Sequence, residues 1–277
     1  MMGSVMPRKL PALFFLGLIV STNLHAALIL SAPPREDAAK GKELYEPLAD
    51  LLSNVTGEKV EYVHPKGWLD YSTEMRAGKY DIVFDGPHFS AWRIAHLDHQ
   101  PVARLPGTLD FVVIAYKDNK KMRNHHSVGR GTLCGMASPN LGTVSVLAEF
   151  QDSIVSPKVI EVKGGFKKVY LAFKEGKCDV AVLRDNVWNK FVSKEDKRQL
   201  RVLYKIKPLP NQTITVGPRI KQKARLAIAT ALQSKDGASA GDKILERFSK
   251  TAKQFVKCDV AEYTDLEKLL EGVVFGW

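Results

Sequence analysis

The segment Ser138-Pro139-Asn140-Leu141-Gly142-Thr143-Val144-Ser145 sets a glycine among hydroxyl side chains just ahead of an apolar helical stretch. A helix start exposes unpaired N–H groups and the positive end of the backbone dipole. Gly142 would let backbone approach an anion, and Asn140, Thr143 and Ser145 add polar side chains around it. The alternative is ordinary capping by Asn140 or Thr143 with no ligand. A second candidate is Asp85-Gly86-Pro87-His88, at the end of an apolar run. A carboxylate buried there needs a partner. Arg184, followed by Asp185, ends an equivalent run and could be that partner. Otherwise Asp85 meets a ligand ammonium and Arg184 the ligand's anionic part, or both side chains face solvent. Trp68 starts the helix before the Asp85 strand, where its ring either packs on a ligand or joins the core.

Catalysis has no comparable set of residues. The chain has no nucleophile elbow, P-loop or dinucleotide fingerprint. His64, His96, His99, His125 and His126 lack the spacing of a metal site. No metal or cofactor is expected, and a non-enzymatic binding role is.

The candidates need elements to hold them. Apolar periodicity predicts strands over 28–30, 59–63, 80–84 and 101–105, alternating with helices over 41–52, 69–77 and 89–96. Pro47 either kinks the first helix or moves its start to about Tyr45. The order then repeats, with strands over 132–137, 158–162, 178–183 and 200–206 and helices over 143–151, 166–174 and 187–192. One stretch makes the repeat concrete. Ala77-Gly78-Lys79-Tyr80-Asp81-Ile82-Val83-Phe84 matches Glu175-Gly176-Lys177-Cys178-Asp179-Val180-Ala181-Val182. In both, glycine stops a helix and aspartate precedes an apolar strand. Two α/β lobes of like topology follow. Either the extended runs over 108–116 and 211–216 are two crossings that hinge the lobes, with the tail returning to the first, or a single crossing leaves two independent domains. Ligands of open parallel sheets bind beyond the carboxyl ends of the strands. That rule selects 31–35, 85–88, 138–145 and 184–186.

The chain has 277 residues and a formal net charge of +11. Arg8 and Lys9 precede an apolar run from Leu10 to Val20, which is too short to span a bilayer. Small residues follow, so 1–26 is expected to be a secretory signal peptide cleaved after Ala26. The mature protein is expected in the periplasm. The densest basic cluster, Lys117, Lys120, Lys121 and Arg123, has no interleaved aromatics to stack bases, so no nucleic-acid partner is expected. Cys134, Cys178 and Cys258 allow one disulfide or three free thiols.

Several runs carry a family resemblance. They are Tyr45-Glu46-Pro47-Leu48-Ala49-Asp50-Leu51-Leu52 leading to Thr56-Gly57-Glu58-Lys59-Val60, then Met75 to Val83, then Gly176 to Ala181, and finally the stretch from Pro210 to Phe248. In this order the sequence resembles the phosphonate/phosphate-type periplasmic substrate-binding proteins of ABC transporters. The resemblance implies an α/β fold of two doubly wound lobes joined by two hinge crossings, the type II periplasmic binding protein fold. It places 27–113 with 213–277 in lobe 1 and 114–212 in lobe 2. It also implies a monomer that passes a small anion or zwitterion to an ABC permease, with a membrane sensor as the alternative partner. Family members that bind phosphonate carry a Ser-Thr-Ser run where this chain has Leu141, Gly142 and Thr143. A common tyrosine falls on Asp85, whose charge opposes a dianion. Another oxyanion is therefore expected, or a zwitterion whose amine meets Asp85.

Overall fold

Apolar runs of four to six residues alternate with amphipathic stretches along most of the chain, a pattern that builds sheets covered by helices. The computed structural model describes residues 26–151, 153–249, 251–271 and 273. The signal-peptide expectation for 1–26 thus falls almost wholly outside the described residues. No described helix is long and apolar enough to cross a membrane.

The strands are β1 (Leu28–Ser31), β2 (Val60–Tyr62), β3 (Ile82–Asp85), β4 (Gln100–Arg104), β5 (Thr108–Leu109), β6 (Phe111–Tyr116), β7 (Thr132–Gly135), β8 (Lys158–Glu161), β9 (Val180–Arg184), β10 (Leu200–Lys205), β11 (Leu209–Pro210) and β12 (Thr213–Val216). The helices are α1 (Ala38–Thr56), α2 (Trp68–Arg76), α3 (Pro87–Leu97), α4 (His125–Val128), α5 (Leu141–Ala148), α6 (Phe166–Lys174), α7 (Asp185–Lys190), α8 (Lys194–Gln199), α9 (Gln222–Leu232), α10 (Lys235–Ala240) and α11 (Asp242–Phe248). Two 3-10 turns follow, Val260–Tyr263 and Leu266–Leu270.

One five-stranded sheet has the order β2-β1-β3-β12-β4 and another the order β10-β6-β9-β7-β8. In each, four strands run in one direction and one, β12 in the first sheet and β6 in the second, runs antiparallel to both its neighbours. The sheets are joined by β5 and β11, which pair with each other as a two-stranded ribbon. The expected lobe division after 113 falls inside β6, all of which pairs within the second sheet. Asp110 interrupts the apolar run, so the crossing lies earlier, at β5. The second crossing is likewise β11, because Thr213–Val216 already pair between β3 and β4.

The glycine–aspartate repeat has the same job in both lobes. Gly78 (φ 66°) and Gly176 (φ 75°) turn the chain in the left-handed region. Asp81 Oδ2 then accepts a 2.8 Å bond from the Ile29 N–H at the start of β1. Asp179 Oδ2 accepts a 2.8 Å bond from the Thr132 N–H at the start of β7. Each aspartate thereby ties one parallel strand to its neighbour.

Pro47 does not truncate its helix. α1 runs unbroken from the Asp37 cap, which accepts from the Lys40 N–H, to Gly57 (φ 72°). Gly41, Leu44, Tyr45, Leu48 and Leu52 are buried along one face, and that packing outweighs the one hydrogen bond proline removes. Cys134 and Cys178 form a disulfide within the second lobe, and Cys258 is free. Leu270 packs against a cluster around Tyr71 and Phe89, while Leu266 and Leu269 pack against the second lobe.

Candidate ligand cleft between the lobes

The most concentrated charge in the interior sits where β3 meets α3. Ile82, Val83 and Phe84 are fully buried and carry Asp85, also fully buried, to the end of the strand. Asp85 Oδ2 accepts from Arg93 Nη2 at 2.8 Å and from the Tyr71 hydroxyl. Its Oδ1 accepts from the Gly86 N–H at 2.6 Å and from Arg35 Nη2 at 3.1 Å. The carboxylate is saturated by four donors. Two guanidinium groups face one carboxylate, so the cluster holds an excess positive charge.

Each partner comes from a different element. Arg93 lies one helical turn beyond Phe89 on the buried face of α3 and is 1% exposed. Burial opposes its charge, but the Tyr71 oxygen and Asp85 more than offset this and hold its pKa above the ordinary arginine value. Tyr71, on α2, is held well above the usual phenol range, chiefly by burial. Arg35 comes from the loop after β1 and stacks over the Phe248 ring at 5.7 Å. Its Nη1 is buried and has no protein partner among the described residues.

The expected partnership of Asp85 with Arg184 does not form. Arg184 ends β9 in the second sheet, and its guanidinium lies 5.3 Å from the Phe111 ring centre. Burial lowers its pKa against the opposing influence of Asp110 and Asp185. Its Nε is buried without a protein partner among the described residues. Arg184 nevertheless borders a space shared by the two lobes. A cavity of about 360 Å³ is lined by Arg184, Asn186, Gly164, Gly165 and Lys167 of the second lobe and by Phe248 of the first. Phe248 is the ring on which Arg35 rests. A direct bond also joins the lobes: His88 Nε2 lies 3.0 Å from the Pro139 carbonyl oxygen.

The loop before α5 behaves differently from the anion cradle expected of it. Asn140 caps the helix by accepting from the Gly142 N–H at 3.1 Å. Thr143 donates its hydroxyl to the Met136 carbonyl at 2.7 Å. A Cβ on Gly142 would lie 2.8 Å from the Phe111 ring, so its bare Cα serves close packing rather than anion approach. These three residues are satisfied internally. Ser145 is buried with its Oγ unpartnered. Asp185 is engaged by Asn189 within α7. Trp68 is 37% exposed and stacks over Phe89, next to the buried cluster.

From sequence, Tyr71 reads with Trp68 as an aromatic at the cleft edge, but Arg35, Arg93, Gln212 and Phe248 are not singled out as site residues, nor is Gly164-Gly165. The strand-end rule selected the segment that ends in Arg35 but singled out no residue there. Applied also to the strand over 158–162, it would have selected Gly164-Gly165. Arg93 had a signal too, as a charge at helical spacing from Phe89 on a face otherwise apolar.

Comparison with known proteins agrees with this architecture. A phosphate-import protein, PhnD, of Mycolicibacterium smegmatis is 24% identical over 229 residues, covering 73% of this chain and 71% of that protein. The structure superposes on XAC2383 from Xanthomonas citri bound to ATP with a TM-score of 0.67 and 15% identity, over 88% of this chain and 96% of the other. It superposes on PhnD1 from Prochlorococcus marinus in complex with methylphosphonate with a TM-score of 0.59 and 14% identity, over 88% and 97%. The fold is therefore that of type II periplasmic binding proteins. The family described as ABC transporter, phosphonate, periplasmic substrate-binding protein matches residues 30–263. With all but the first two residues of the sheets and both crossings inside that match, this chain belongs to the family of periplasmic substrate-binding proteins of phosphonate ABC transporters.

Proposed function

We propose that this protein closes its two lobes on a small phosphorus oxyanion, phosphate- or phosphonate-like, and hands it unchanged to an ABC permease. The observation that carries this reading is the saturation of Asp85 by Arg93, Arg35, Tyr71 and the Gly86 N–H. A saturated carboxylate has no acceptor left for a ligand ammonium, while Arg35 Nη1 remains a buried donor without a partner. Buried polar groups are nearly always hydrogen-bonded, so an anion is the natural complement of Arg35 Nη1, Arg184 Nε and Ser145 Oγ. Contacts made to both lobes favour the closed state by the difference they add to it. The protein acts as a monomer in the periplasm once residues 1–26 are removed. Its role, as for the substrate-binding component of a transporter, is capture and delivery with no chemistry on the ligand.

The test is a thermal-shift series on the mature protein with phosphate, phosphite, methylphosphonate and a small zwitterion. A bound oxyanion raises the melting temperature with the logarithm of its excess over the dissociation constant. A response to the zwitterion alone would show that the arginine pair is structural.

A further inference from the structure

One contact fixes the hydrogen-bonding roles of His88. Its Nε2 faces the Pro139 carbonyl oxygen, which can only accept, so Nε2 carries a proton. Burial depresses the His88 pKa to about 4, with Asp85 and the Pro139 bond opposing and Arg35 and Arg93 reinforcing. The ring is therefore neutral at physiological pH, and Nδ1 bears a lone pair. Nδ1 is buried and has no partner among the described residues. It hangs over the bare Cα of Gly86, where a Cβ would sit 3.1 Å from Nδ1 and 3.6 Å from Gln212 Oε1. Gln212 Oε1 is a second buried acceptor without a partner. The nearby Gly86 N–H and Arg93 Nη2 are both committed to Asp85. Gln212 can turn its amide over to present a donor, but His88 cannot exchange its roles while Pro139 holds Nε2.

We propose that His88 Nδ1 is a specificity-determining acceptor that selects oxyanions carrying their own O–H. The site then takes a singly protonated phosphorus oxyacid and rejects a sulfur oxyanion of the same shape and charge. The inference rests on the oxyanion reading above. One ligand oxygen accepts from Arg35 Nη1, and the ligand hydroxyl donates to His88 Nδ1. A fully deprotonated oxyanion would set lone pair against lone pair in a buried site, leaving the histidine acceptor unmatched.

The test pairs methylphosphonate with methanesulfonate, titrated calorimetrically into the mature protein in mildly acidic buffer. Both are then tetrahedral monoanions with one methyl group, and only the phosphonate has a hydroxyl. Wild-type protein is expected to bind methylphosphonate tighter by roughly a hundredfold or more. His88→Gln places its amide near the Nε2 position, keeps a donor toward Pro139 and removes the Nδ1 acceptor. It should bring the two affinities within about tenfold of each other. His88→Asn places an acceptor near Nδ1 and loses the Pro139 bond, so it should keep the preference while weakening both ligands. Equal wild-type affinity for the two anions overturns the role of His88 and leaves the oxyanion reading standing. An unchanged preference in a folded His88→Gln protein overturns it as well. Failure of wild-type protein to bind either anion, with a zwitterion bound instead, overturns both readings.

Discussion

Arg93 Nη2 lies 2.8 Å from Asp85 Oδ2, and both side chains are almost completely buried. The pair joins the end of β3 to the second turn of α3. Removing one member leaves an uncompensated buried charge, which costs about 3–5 kcal/mol. Arg93→Met should therefore lower the urea midpoint by an amount of that order. A shift below about 1 kcal/mol would mean that Arg35 alone neutralises Asp85.

Arg35 and Arg184 should behave in the opposite way. Arg184 lines the space between the lobes and Arg35 rests on Phe248, which lines it too, whereas Arg93 is sealed in the first lobe, so each of the two stands to contribute to the ligand more than to the fold. Arg35→Met and Arg184→Met are expected to weaken oxyanion binding by roughly tenfold to a hundredfold, the worth of a charge-assisted hydrogen bond. The ligand-free melting temperature should move little for Arg184. Isothermal titration alongside thermal melts separates the two effects.

Gly142→Ala provides the control. Its new methyl would meet the Phe111 ring at 2.8 Å and Phe166 at 3.3 Å. Overpacking of this kind costs about 1–3 kcal/mol. Stability should fall, while the affinity of the folded fraction stays within about threefold. A large loss of affinity without a loss of stability would return the α5 loop to the binding site.

The Cys134–Cys178 disulfide closes a loop across a sequence separation of 44. Loop-closure entropy for that length amounts to about 4 kcal/mol at 25 °C. Cys134→Ala with Cys178→Ala should lower stability by up to this amount, read as a drop in the urea midpoint relative to the oxidised wild type. The wild type treated with reductant should move in the same direction.

Two buried histidines make stability fall in mild acid. Burial lowers His88 to about 4 and His99 to about 3. In the unfolded chain both take up a proton near pH 6.5. Below that pH the unfolded state binds more protons than the native state, so stability present at neutral pH is lost as pH falls from about 6.5 toward 4. The slope approaches about 1.4 kcal/mol per pH unit for each histidine. Urea midpoints at neutral and mildly acidic pH check this, and a flat profile would show that the rings are open to solvent.

The lobes were legible because their signals are local. The glycine stop and the aspartate before an apolar strand occur twice, and in the structure both aspartates bind the neighbouring strand's first N–H groups. The cleft was legible only in outline. Asp85, His88 and Arg184 lie where strand-end reasoning puts them. Pairings across the fold carry no spacing signal, however. Arg35 and Arg93 lie 50 and 8 residues from Asp85, and only the packing of α3 and the β1 loop brings them to it. The α5 loop was ambiguous because hydroxyls beside a glycine fit an anion cradle and a capped, tightly packed helix start equally well.

The position of β12 sets an order on assembly. It lies between β3 and β4, pairing antiparallel with both, yet it is made only after the whole second sheet. Until Thr213–Val216 arrive, β3 lacks its neighbour on that side and β4 has no place in the sheet. A chain made from its N-terminus can therefore complete its second lobe before its first. The half that is made first stays unlocked until the last quarter has joined it.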